Sequence, residues 1–121
     1  VKRRIMLGNF VLSSGYYDAY FTKAQKVRKL IKEATEQMLK ENDILLFPTT
    51  PTTAFKIGEI NDPIKMYLQD IFTVHANIVG MPAVSLPMGQ HSNNLPFGLQ
   101  LMSSTFKEDL LYSASQYILN M

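Results

Sequence analysis

Arg3, Arg4 and Asp70 are the residues of this sequence best suited to holding a charged small molecule. Both arginines precede Ile5-Met6-Leu7. Whichever shares the buried side of that segment would hold a planar guanidinium fork in a partly dry setting, where it suits a carboxylate. Adjacent helical residues point about 100° apart, so only one of the two is expected to do so. Asp70 precedes Ile71-Phe72, and a carboxylate turned inward among such neighbours wants a cationic partner or ligand. For each charge the plainer alternative is a salt bridge.

Hydrolytic chemistry needs a nucleophile, a base and a charge-stabilising group held together. Ser13, Ser14 and Ser85 are available, but no Gly-x-Ser-x-Gly elbow surrounds them, and structural or capping roles are expected. His75 and His91 have no second ligand at metal spacing, so no metal site is assigned. Gly58, Gly80, Gly89 and Gly98 are isolated and match turns or close backbone approaches, not a phosphate loop. Asp62 and Glu108 are explained by helix starts. No catalytic residue and no cofactor is therefore assigned to this chain.

The elements that must position Arg4 and Asp70 fit one small domain of 121 residues. Tyr20, Ala24, Val27, Ile31, Ala34 and Met38 recur at helical spacing and predict a long helix over about 18–40 with that stripe inward. Ile44 to Phe47 reads as a strand buried on both faces and ended by Pro48 and Pro51. Asp62-Pro63 starts a helix that carries Ile64, Tyr67, Leu68 and Ile71 inward. Ala83 to Leu86 and Phe97 to Met102 form a pair of strands across the polar linker Gly89 to Pro96. Thr105-x-x-Glu108 has capping-box spacing before a closing helix through Leu110, Leu111, Ala114, Tyr117 and Ile118. Strands alternating with helices make the class α/β.

Twelve basic and ten acidic residues give a net charge of +2, too balanced for a general nucleic-acid surface. Lys23, Lys26, Arg28, Lys29 and Lys32 do cluster, and read as a solvated helix face or a contact for phosphate or an acidic partner. Cysteine is absent, and no apolar run approaches the roughly 20 residues of a membrane crossing. A reducing, cytoplasmic setting without membrane contact fits best. The chain opens on Val1-Lys2-Arg3-Arg4 without an initiator Met or signal pattern, as expected of a piece of something longer.

Several blocks carry a family resemblance. Val1-Lys2-Arg3-Arg4-Ile5-Met6-Leu7-Gly8, Leu12-Ser13-Ser14-Gly15-Tyr16-Tyr17-Asp18-Ala19-Tyr20 and Phe47-Pro48-Thr49-Thr50-Pro51-Thr52 resemble the A subunits of the Asp/Glu-tRNA amidotransferases, a branch of the amidase-signature family. The likeness continues through Asp62-Pro63 with Met66-Tyr67, Asn77-Ile78-Val79-Gly80-Met81-Pro82-Ala83 and Pro96-Phe97-Gly98-Leu99-Gln100, and so covers nearly the whole chain. His75, Met88 and Ser103-Ser104-Thr105 depart from the family's usual proline, cysteine and Gly-Lys-Pro-like run.

The resemblance implies that 1–121 is a single C-terminal segment of an amidase-signature fold, a mixed β-sheet covered by helices, with the catalytic Ser, cis-Ser and Lys upstream. It implies a glutaminase that feeds ammonia to partner chains, the B and C subunits, which use ATP and magnesium to convert misacylated Glu-tRNA(Gln) or Asp-tRNA(Asn). By itself the segment is expected to be inactive. By the same resemblance Arg4 matches the arginine that holds the α-carboxylate of glutamine, with Arg3 as register alternative, and Asp70 the aspartate that holds its α-ammonium. Two other readings stand beside this one: the same region of a different amide hydrolase, and a free-standing module that binds RNA or protein. A sheet cut from its neighbours should also self-associate, rearrange or expose unusual apolar surface.

Overall fold

The computed structural model describes residues 1–13 and 15–121. Nine elements follow in order among them: α1 (Lys2–Val11), a π-helical turn (Tyr17–Thr22), α2 (Lys23–Glu41), β1 (Ile44–Pro48), α3 (Pro63–Leu68), α4 (Ile71–Val79), β2 (Ala83–Gln90), β3 (Pro96–Ser103) and α5 (Glu108–Leu119). Among the described residues no helix is long and apolar enough to cross a membrane.

The sheet has the order β1-β3-β2, and both pairings are antiparallel. A parallel component of the mixed sheet expected for the whole fold has no partner strand among the described residues. β2 and β3 form the predicted hairpin, with a bulge between Pro87 and Gly89. Its connection is closed by His91 N–H donating to Leu95 O and by Asn94 at φ 61°. β1 pairs with β3 from Ile44↔Ser103 to Pro48↔Leu99, and is a sheet edge. An edge strand is covered less than a central one, so Leu46 is 58% exposed. The expectation that β1 is buried on both faces is therefore wrong.

β3 is the centre of the molecule because successive strand side chains point to opposite faces. Met102 joins Leu39 of α2, Ala76 and Val79 of α4 and Met81, while Leu101 joins Leu86 and Leu111 of α5 on the other side. The result is three layers: α2 with α4, the sheet, and α5. Gln100, also buried, donates from Nε2 to Phe72 O at 3.0 Å and ties the sheet to α4.

Other expectations are corrected by this packing. The buried line of α2 is Thr35 and Leu39, with Ile31 partly covered, while Tyr20, Val27 and Met38 of the predicted stripe stay exposed. The inward face follows the contact with α4 and the sheet, which sit about one residue round the helix from the purely apolar row. The helix after Asp62-Pro63 breaks before Ile71, and Ile64, Tyr67, Leu68 and Ile71 are between 49% and 69% exposed instead of buried. The Thr105–Glu108 capping box does not form: α5 starts after Lys107 without a side-chain cap. Phe106 takes φ 62°, which turns the chain away from Thr105, and Ser103 Oγ donates to Lys107 O there instead. Glu108 and Asp109 still lie in the first turn, where carboxylates suit the helix dipole.

Candidate functional site

The Asp62-Pro63 start is seen as predicted, with Ile64 N–H donating to Asp62 Oδ1 at 2.9 Å. It launches a helix of a turn and a half that ends at a joint, Gln69-Asp70. Asp70 N–H donates to Tyr67 O at 3.2 Å, and Asp70 O accepts from Val74 N–H at 2.8 Å and from Thr73 Oγ1 at 3.2 Å. Its backbone thus finishes one helix and starts the next. Its φ and ψ of −97° and 5° are outside the extended region from which a side chain folds back onto a helix start, and its carboxylate makes no capping bond. The carboxylate remains available to a ligand.

Arg4 reaches the same place from the first turn of α1, whose Arg4 and Ile5 N–H groups donate to Val1 O. Its guanidinium carbon lies 5.1 Å from the centre of the Tyr67 ring, a cation–π contact. Arg4, Tyr67 and Asp70 form a wall shared by two cavities. One, of about 530 Å³, is mainly apolar and is closed by Ile31, Leu68, Val74 and His75. The other, of about 430 Å³, is more polar and is lined by Thr50, Thr52 and Gln69. Arg3 faces a different groove beside Met6, Leu7 and Phe10. The helical offset thus places Arg4, and not Arg3, with Asp70. α1 buries none of its residues, so the dry setting expected for an arginine on its buried side is not found.

Among the described residues the ion pairs are Lys29–Glu33 at 3.7 Å and Lys32–Glu36 at 3.8 Å, so neither Arg4 nor Asp70 is neutralised by them. Those same pairs, with Arg28 Nε donating to Ile78 O of α4 at 2.7 Å, engage three members of the basic cluster within the chain. Tyr67, Thr52 and Gln69 border the same cavities, although the sequence offers none of them as a binding residue. The available signal was Tyr67 one helical turn before Asp70, the spacing that places two side chains on one face.

The remaining candidates lie apart. Ser13 Oγ donates to Phe10 O at 2.6 Å, and Ser14 lies outside the described residues. Ser85 Oγ shares a 2.6 Å hydrogen bond with Thr49 Oγ1 and faces a smaller cavity with Asn77 and Gln100. His75 Nε2 contacts Thr35 Oγ1, and His91 Nδ1 contacts Ser92 Oγ. No three His, Asp or Glu side chains cluster among the described residues. The wall shared by the two cavities thus presents one cationic and one anionic side chain, Arg4 and Asp70.

A family model for amidases matches residues 1–112. The chain is 64% identical over 108 residues to the A subunit of a glutamyl-tRNA(Gln) amidotransferase from Halothermothrix orenii, covering 89% of this chain and 23% of that protein. It is 56% identical over 116 residues to a protein of the same description from Trichodesmium erythraeum, covering 95% and 24%. The crystal structure of the glutamyl-tRNA(Gln) amidotransferase A subunit from Thermotoga maritima superposes with a TM-score of 0.72 at 53% identity, over 88% of this chain and 23% of that one. A 6-aminohexanoate cyclic dimer hydrolase gives 0.64 at 25% identity, over 82% and 23%. The chain thus spans about a quarter of the length of the curated relatives it matches.

Proposed function

The chain belongs to the amidase family, and from that premise we propose that it supplies the glutamine-recognition charges of a tRNA-dependent amidotransferase's glutaminase chain. Arg4 takes the α-carboxylate of glutamine and Asp70 its α-ammonium. The observation that carries the reading is the presence of these two opposite charges in one cavity wall, neither neutralised by the other ionic side chains described. A free amino acid is a zwitterion, so a site that prefers glutamine to a simple amide needs one cation and one anion that converge in space.

In the whole protein, a serine nucleophile activated through a lysine relay resides in the other three quarters of the polypeptide. It forms an acyl-enzyme from the glutamine side-chain amide and releases ammonia, which serves a cytoplasmic reaction of the partner chains on misacylated tRNA. ATP and magnesium belong to those partners, the B and C subunits of the complex.

The test uses the full-length protein with its partner subunits. Arg4→Ala and Asp70→Asn should each raise KM for glutamine roughly 10- to 100-fold, the range of a lost hydrogen bond to a charged group. Unchanged KM in both variants sinks the reading. The fold likeness to the 6-aminohexanoate cyclic dimer hydrolase favours a second reading, hydrolysis of another amide without tRNA. Glutamine-independent turnover of neutral amides, insensitive to both substitutions, would select it.

A further inference from the structure

We propose that Tyr67 is a positioning residue for glutamine recognition: its ring face holds the Arg4 guanidinium while its backbone carbonyl holds Asp70. The inference rests on the assignment of Arg4 and Asp70 to the two charges of glutamine. It goes beyond that assignment by naming what fixes their separation.

Three observations carry it. The Arg4 guanidinium carbon sits 5.1 Å from the Tyr67 ring centre. Asp70 N–H donates to Tyr67 O at 3.2 Å, so one residue touches both charged residues by different atoms. The ring is 56% exposed and borders both cavities, so core burial does not account for it.

The chemistry suits the task. Arginine on a helix with no buried residue has many rotamers to lose when it binds a carboxylate. A ring face engages the cation without consuming any of its five N–H donors, so the arm is oriented while the fork stays free. Gln69, which immediately precedes Asp70, is itself tied down by Thr52 Oγ1 donating to its Oε1 at 2.8 Å. Both arms of the site are thereby set before glutamine arrives, which lowers the ordering cost of binding it.

The experiment compares Tyr67→Leu and Tyr67→Phe with Arg4→Ala and Asp70→Asn in the full-length protein with its partner subunits. Glutamine and propionamide, a primary amide with neither charge, are the two substrates. Tyr67→Leu should raise KM for glutamine about three- to tenfold, the range of a cation–π contact, with kcat nearly unchanged. Its effect on kcat/KM for propionamide should be smaller than its effect on glutamine, and Tyr67→Phe, which keeps the ring, should lose less than Tyr67→Leu. The proposal is overturned if Tyr67→Leu leaves KM for glutamine unchanged while Arg4→Ala and Asp70→Asn raise it. It is also overturned if Tyr67→Leu lowers turnover of both substrates equally, the mark of a structural role. Unchanged KM in Arg4→Ala and Asp70→Asn removes the underlying assignment, and the positioning role with it.

Discussion

His75 Nε2 lies 3.0 Å from the Thr35 hydroxyl, which itself donates to Ile31 O at 2.8 Å. A hydroxyl has one hydrogen, so with that hydrogen spent on Ile31 the His75 ring must be the donor of the second bond. The Nε2–H form of His75 thus bridges α4 to α2 at a threonine that is 0% exposed. Thr35→Val keeps the volume, removes the acceptor and strands the His75 N–H. The expected loss is about 1–3 kcal/mol, read as a lower melting temperature of the full-length protein. Thr35→Ser should keep most of the stability, and a valine variant that melts normally would show that the bridge contributes nothing.

Gly98 presents a different constraint, one of space. A Cβ there would fall 2.7 Å from Thr49 Oγ1, 3.1 Å from Ser85 Oγ and 3.2 Å from Leu86 O, under the hydroxyl pair that links the residue following β1 to Ser85 of β2. Gly98→Ala should therefore destabilise by about 1–3 kcal/mol, as overpacking does. Thr49→Ala removes the tightest contact. The double variant should lose less than the sum of the two single losses, and strict additivity in melting experiments would exclude the clash.

These contacts show what can be read from a sequence and what cannot. Local signals were legible: the Asp62-Pro63 cap, the β2–β3 hairpin and a strand at Ile44 each depend on neighbours a few residues away. The partner of each face was not. Thr35 lies on the buried side of α2 because His75 meets it from 40 residues downstream, and a polar residue there gives no apolar signal. The same limit hid the break at Gln69-Asp70, where a helical pattern continues although the backbone does not. The pairing of Arg4 with Asp70 came from family likeness, while the helical offset that separates Arg3 from Arg4 was predictable from geometry. Tyr67 reads as core because an aromatic at helical spacing usually is, and its exposure and its contact with Arg4 show otherwise.

Gly80 tests conformation without crowding. It ends α4 at φ 70° and ψ 40°, its N–H donates to Ala76 O, and nothing lies within 4 Å of a Cβ built on it. Gly80→Ala should cost about 1–2 kcal/mol from the left-handed backbone alone. Gly80→Asn should cost less, because asparagine tolerates that region. No neighbouring truncation should rescue the alanine variant, in contrast to Gly98, and a rescue would reveal a steric cause.

The surface leads to one more expected outcome. Leu7, Leu30, Ile64, Leu68 and Ile71 are each about half exposed or more, and β1 leaves one edge of the sheet unpaired among the described residues, with Leu46 exposed along it. Monomeric proteins rarely leave so much apolar area open, and a free edge is a template for pairing with another chain. The isolated 121-residue chain should therefore bind an apolar dye and sediment as species heavier than one copy. Leu46→Lys should reduce association through the edge, since a lysine on an edge strand opposes strand addition. Sedimentation of the unsubstituted chain as a dye-free monomer would count against this expectation.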